Sequence, residues 1–199
     1  GSFFIPPGGG IVQYDSSGNC LSAEIKFSAP VTGNTNGVFL DFIGADLILY
    51  GLYRSTPFQL DTATLITQGN YDGFIARADS NGNVKWIKTY GNAGLDYIQD
   101  LTIDNSYNLY ITGGFQDSIN LGGNTIQANS SDIFIAKLDA VGNFIWNTQL
   151  SVTGNYKSPN NIFSDADGNF YLAGLFSGNA NFGTFNINTS NTYDMFISR

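Results

Sequence analysis

Asp132-Ile-Phe-Ile-Ala-Lys-Leu-Asp-Ala-Val-Gly-Asn-Phe-Ile-Trp146 decides the fold, because the chain writes it more than once. Asp72-Gly-Phe-Ile-Ala-Arg-Ala-Asp-Ser-Asn-Gly-Asn-Val-Lys-Trp86 is a second copy, Ile11–Asn19 a shortened one, and Asp194-Met-Phe-Ile-Ser-Arg199 opens another. A further segment ends in glycine each time, at Leu49-Tyr-Gly51, Ile111-Thr-Gly113 and Leu172-Ala-Gly174. These anchors recur at intervals of 60 to 64 residues. A period of that size marks propellers, solenoids or arrays.

Inside a unit the apolar period is two, which is the period of strands. Phe134, Ala136 and Leu138 share one face while Ile135 and Lys137 take the other. Asp139-Ala-Val-Gly142 then predicts a hairpin turn, with Asp accepting from backbone amides and Gly supplying the left-handed residue. The same turn is expected at 15–19, 79–83, 104–108 and 165–169. Beyond it Phe144, Trp146 and Leu150 share a face, as do Val84, Trp86 and Tyr90, so Trp86 and Trp146 are expected in equivalent packed positions. A preceding hairpin, such as Ile98–Asp104 returning as Leu109–Gly113, completes four antiparallel strands, with a longer segment such as Gln116–Ser131 joining the two hairpins. The strand-end glycines are expected to make room for an aromatic ring from the adjoining unit.

Four strands per unit, rich in aromatics and tandemly repeated, predict an all-β chain of β-propeller blades, about three four-stranded blades forming part or half of a larger propeller. The expected organisation is a tag scar and N-terminal segment at 1–10, a hairpin at 11–28, blades at 37–90 and 95–150, and a partial blade at 160–199. The first unit departs most: Ser22 stands where Trp86 and Trp146 stand, and Gly10 where Phe74 stands. Three blades are too few to close a ring, so self-association, or further blades from a longer parent chain, is expected.

At these residues the chain resembles the bacterial β-propeller repeat family often called SBBP. That family's unit is similar to Asp-x-Phe-[Val/Ile]-Ala-Lys-x-Asp-x-x-Gly-Asn-x-x-Trp followed by Asp-x-x-Gly-Asn-x-Tyr-[Val/Ile]-Thr-Gly. Asp132–Trp146 matches the first part; Asp165–Gly174, with Ala173 for Thr, matches the second. The resemblance implies a propeller in an extracellular or surface-associated protein and implies no particular activity. Asp79, Gly82 and Trp86, repeated at Asp139, Gly142 and Trp146, also resemble the tryptophan-docking repeat of quinoprotein dehydrogenases, where the motif is structural.

Composition removes whole classes of function. With 16 Asp+Glu against 8 Lys+Arg, the net charge of −8 repels phosphate backbones and anionic lipid, so neither nucleic acid nor membrane insertion is expected. No apolar run reaches the roughly 20 residues that span a bilayer. The chain has no His, which excludes Ser/His/Asp and Cys/His catalysis and the commonest metal ligand. Cys20, the one cysteine, has no partner for an intrachain disulfide.

Asp165, Asp167 and Asn169 alternate oxygens as a weak Ca²⁺ loop would, although no Glu closes the coordination and turn chemistry explains the same residues. Glu24 is the one Glu. Each recurring Asp already has a turn or strand-end role, and recurrence argues for scaffold. Among the aromatics that break the repeat (Phe3, Phe4, Tyr53, Phe58, Tyr97 and Tyr156), Tyr53, Phe58, Tyr97 and Tyr156 are the candidate ligand-binding residues. The expected function is a non-catalytic structural or binding module, with a protein or glycan ligand and no cofactor. The alternative is a carbohydrate-active enzyme with its pocket on one propeller face, for which a cleft holding non-repeating carboxylates would be the mark.

Overall fold

The computed structural model describes residues 10–25, 27–28, 38–54, 57–155 and 157–199. In chain order the strands are β1 (Gly10–Tyr14), β2 (Cys20–Ile25), β3 (Phe27–Ser28), β4 (Val38–Ile43), β5 (Asp46–Tyr53), β6 (Phe58–Leu60), β7 (Ala63–Leu65), β8 (Asp72–Ala78) and β9 (Val84–Tyr90). They continue as β10 (Tyr97–Ile103), β11 (Leu109–Leu121), β12 (Asn124–Leu138), β13 (Phe144–Val152), β14 (Lys157–Ser164), β15 (Phe170–Phe182) and β16 (Phe185–Ser198). The described residues hold no helix.

β4-β5-β8-β9 is one antiparallel four-stranded blade and β10-β11-β12-β13 is the next. β14, β15 and β16 make a third, tied to the second by the pairs Ser151↔Asn181 and Val152↔Ala180. β1 and β2 form a hairpin that stands to the first blade as the outer half of another would. Gln13 Nε2 donates to the Ser80 carbonyl at 3.1 Å, and Arg77, at the same place in the next repeat, donates to the Ala140 carbonyl at 2.8 Å.

Alternation sends the two faces of each blade into different cores. Phe134, Ala136 and Leu138 pack with Ile48, Tyr50, Ile75 and Tyr90 of the first blade. Ile135 turns the other way, into a cluster with Ile162, Leu172, Phe176 and Phe196 of the third. Burial of a side chain of this kind contributes about 1.5–3 kcal/mol, so the blade contacts hold the array together. Trp86 and Trp146 occupy equivalent registers, opposite Arg77 and Lys137, and each is half-buried against the core shared with the following blade.

All five predicted turns form, and each by the same chemistry. The backbone amide of the Asp bonds the Asn carbonyl four residues on, at 2.8–3.0 Å from Asp15 to Asp165. The Asp carboxylate takes two backbone amides and the Asn side chain, as Asp139 does from Val141, Asn143 and the Asn143 amide. Gly18, Gly82, Gly142 and Gly168 are left-handed at the fourth position, and at 104–108 Tyr107 must adopt it instead, at φ 63°. A left-handed L-residue costs about 1–2 kcal/mol. Tyr107→Gly, offset in part by glycine's freedom in the unfolded chain, is expected to raise stability by about 0.5–1 kcal/mol in urea titration.

Two expectations need correction. The segment Gln116–Ser131 is not a loose link between hairpins: β11 and β12 run through it as one long hairpin to the pair Leu121↔Asn124, interrupted by a bulge near Asp117, and β15 and β16 repeat the device. Polar strand extensions pair their own amides and carbonyls and so need no apolar pattern. The glycines, in turn, face rings of their own blade. A Cβ on Gly113 would lie 2.7 Å from Phe134 Cε1, and on Gly174 2.7 Å from Phe196 Cε1, both rings belonging to the strand paired alongside.

Candidate functional site

A polar cleft of about 720 Å³ opens where the first and second blades meet. β9 brings Lys88 and Tyr90 to it, the loop beyond adds Gly91 and Asn92, and Asp72 stands at the start of β8. The far wall comes from the β11–β12 extension, through Ser118, Asn120 and Thr125, and from Asn143 and Phe144 of the next turn. Phe144 meets Tyr90 edge to face at 5.3 Å, and the Asn92 amide donates to Ser118 Oγ at 2.8 Å.

The equivalent junction between the second and third blades shows what is unusual here. There Asp132, 4% exposed, receives the Val152 amide at 3.0 Å and Gln149 Nε2 at 2.6 Å, with Lys157 Nζ 3.6 Å away. The registers Gly73↔Tyr90 and Ile133↔Leu150 make Asn92 the counterpart of Val152 and Thr89 that of Gln149. The registers Tyr97↔Gly114 and Ser158↔Leu175 likewise make Asp96 the counterpart of Lys157.

The first junction therefore exchanges a cation for an acid. Asp96 is fully buried and draws the Asn92 amide to itself at 2.8 Å and the Gln116 amide at 3.2 Å. Asp72, 2% exposed, keeps only the Gln68 amide on Oδ2, and its Oδ1 has no partner. The buried Tyr90 hydroxyl, also on this cleft, has none either. Burial pushes the Asp72 carboxyl above the usual range, against the Gln68 amide alone. Burial also lifts Asp96 to about 6, helped by the negative charge of Asp72 and opposed by the amides of Asn92 and Gln116.

The turn carboxylates behave oppositely. Asp15, Asp79 and Asp165 are held below the usual range chiefly by their Asn partners; in Asp104 and Asp139 the same bonds outweigh a burial effect that acts the other way. A lowered carboxylate contributes stability above its unfolded pKa that is lost as pH falls through the folded value; a raised one contributes only below the folded value. The thermal midpoint is therefore expected to fall below about pH 4 as the turns protonate. It is also expected to fall as pH rises through about 6, as Asp96 ionises. A midpoint that climbs steadily from pH 5 to pH 8 would contradict the buried-acid assignment.

The residues predicted from sequence lie elsewhere. Asp165 already accepts the Asp167 and Asn169 amides, the Asn169 side chain and the Tyr171 hydroxyl, the arrangement found at turns that carry no second acid. The described residues contain no group of three acids or thiols placed to hold a metal. Tyr53 and Phe58, each 1% exposed, are not a ligand platform. They stack at 5.7 Å and close over Phe74 in the core beneath β6 and β7, which corrects the binding expectation. Tyr97 is half-buried with its ring over Gly114. Tyr156 lies outside the described residues, as does the Glu24 side chain. Sequence reasoning missed Asp72, Tyr90, Asn92 and Asp96; the signal was the charge reversal between Asp96 and Lys157, visible once the units are aligned through those positions.

No family model matches the chain. An uncharacterized WD repeat-containing protein of Acanthamoeba polyphaga mimivirus is 25% identical over 119 residues, which is 53% of this chain and 8% of that protein. The chain thus spans less than a tenth of the relative's length. It carries neither His nor a Trp-Asp dipeptide, so the likeness lies in the blade pattern and not in the WD signature itself. The similarity is to a repeat protein of β-propeller type.

Proposed function

We propose that this chain is a non-catalytic β-propeller module that holds a protein partner in the cleft between its first two blades. The observation that carries this reading is that one carboxylate, Asp72, lines the cleft among the described residues, together with amides, hydroxyls and two aromatic rings. Glycoside hydrolysis requires two carboxyl groups facing one bond, and the neighbouring Asp96 is buried behind the wall with both oxygens on backbone amides. Such a wall recognises without reacting. The Asn, Ser and Thr side chains also favour a glycan as the second reading. The resemblance to the bacterial repeat family supports a secreted or surface setting.

The test is selection of displayed random peptides on the full chain, repeated with Thr125→Trp. Thr125 is exposed on the cleft wall, so the indole fills the cleft without touching the core. Enriched peptides that bind the wild type and fail on the variant support the proposal. Absence of enrichment, binding indifferent to the indole, or turnover of any glycan in a hydrolase screen overturns it.

We further propose that additional blades, from a second copy or from more chain, cover the outer face of the third blade. Tyr193, Met195 and Ile197 expose 52%, 76% and 75% of their surface there, an apolar strip of the kind that marks a contact. Light scattering at micromolar concentration is expected to show association that Met195→Glu with Ile197→Lys abolishes; a monomeric wild type excludes the second copy.

A further inference from the structure

Resting on the cleft as the binding site, we propose that the group it receives is a primary ammonium, a lysine side chain presented by the partner, with Asp72 Oδ1 as its acceptor. The chain itself supplies the precedent one repeat later. Where the second blade meets the third, Lys157 reaches the Asp132 carboxylate and donates to the Ser131 carbonyl, so an ammonium completes the carboxylate at that junction. At the first junction the residue in the lysine's place is Asp96, and among the described residues no cation is paired with Asp72. Lys88 lines the same cleft and lies close enough to Asp139 to lower that carboxyl.

Asp72 thus lines an open cleft beside a second acid, and its Oδ1 is a buried acceptor without a donor. A buried unpaired carboxylate is costly, and a group that brings both a positive charge and N–H donors relieves it. An ammonium does both, with a positive charge and three N–H donors, one of them for Asp72 Oδ1. A bare divalent ion would need several oxygen ligands from charged groups, and the described residues gather no such set. The net charge of −8 attracts a cationic group from a distance.

The experiment titrates the full chain with Nα-acetyl-lysine amide and with the same compound acetylated on Nε, by isothermal calorimetry and by amide chemical shifts. The free amine is expected to bind at least tenfold more tightly than its acetylated form, with shifts at Gly91 and Asn92. Asp72→Asn is expected to lose at least tenfold. Asp96→Lys, which installs the arrangement of the second junction, is expected to lose as much, and it carries the test where Asp72→Asn does not fold. Equal binding of the two probes, binding unchanged in both variants, or saturation by CaCl₂ or KCl with no response to amine overturns the assignment. Peptides selected on the cleft without any need for lysine would sink this inference and leave the binding-module reading standing. Amine binding in a chain that selects no peptide would do the reverse.

Discussion

Gly113→Ala is expected to destabilise the chain by about 3 kcal/mol or more, near the upper end for a single added methyl. A Cβ at 113 would sit 1.8 Å from the Tyr97 carbonyl oxygen and 2.7 Å from Phe134 Cε1. The first obstacle is backbone of β10, paired to β11 through Ile98↔Gly113; the second is a fully buried ring in the core between the first two blades. Neither retreats without breaking a strand pair or opening a cavity. Gly168→Ala is the control. No atom lies within 4 Å of its added Cβ, and only the left-handed φ of 81° opposes the change, a cost of about 1–2 kcal/mol. Urea titration of both variants decides the matter. Equal losses would mean that the glycine at the strand end answers to backbone conformation and not to the ring beside it.

The contrast shows which parts of this fold were legible in the sequence. Asp139 and Gly142 announced their turn because its chemistry is local: donor, acceptor and left-handed residue lie within five positions of one another. Alternation through Phe134–Leu138 announced a strand buried on both faces for the same reason. Tyr107 hid its left-handed backbone because nothing in a tyrosine favours φ > 0, and only the homologous glycines betray it. The β11–β12 extension hid too, since strands that satisfy their own amides at the surface require no apolar period. Tyr53 and Phe58 look irregular in sequence, yet the structure puts Tyr53 back into the repeat. It meets Phe74 edge-on as Phe115 meets Phe134 and Phe176 meets Phe196, and Phe58 packs on the same pair in a buried core. The cleft was least legible of all. Asp72 looks like its counterparts Asp132 and Asp194, and its difference arises from Asp96, a residue outside every anchor that meets it only after the blades pack.

Lys157→Met is expected to cost about 3–5 kcal/mol, because it strips the cation from a carboxylate that stays buried. The side chains of Lys157 and Asp132 are 9% and 4% exposed, so solvent does little to replace the lost charge. Methionine keeps the volume and flexibility of the lysine stem, which confines the loss to electrostatics. The double variant Asp132→Asn with Lys157→Met should cost clearly less than the two single changes together, since the unpaired charge leaves with its partner. Strict additivity would show that the two groups do not depend on one another. The first junction, where Asp96 stands in the lysine's place, would then need no cation from outside. A large coupling at the second junction measures what an ammonium contributes beside this carboxylate, and the first junction sets the corresponding carboxylate, Asp72, on the cleft with an acid in the lysine's place.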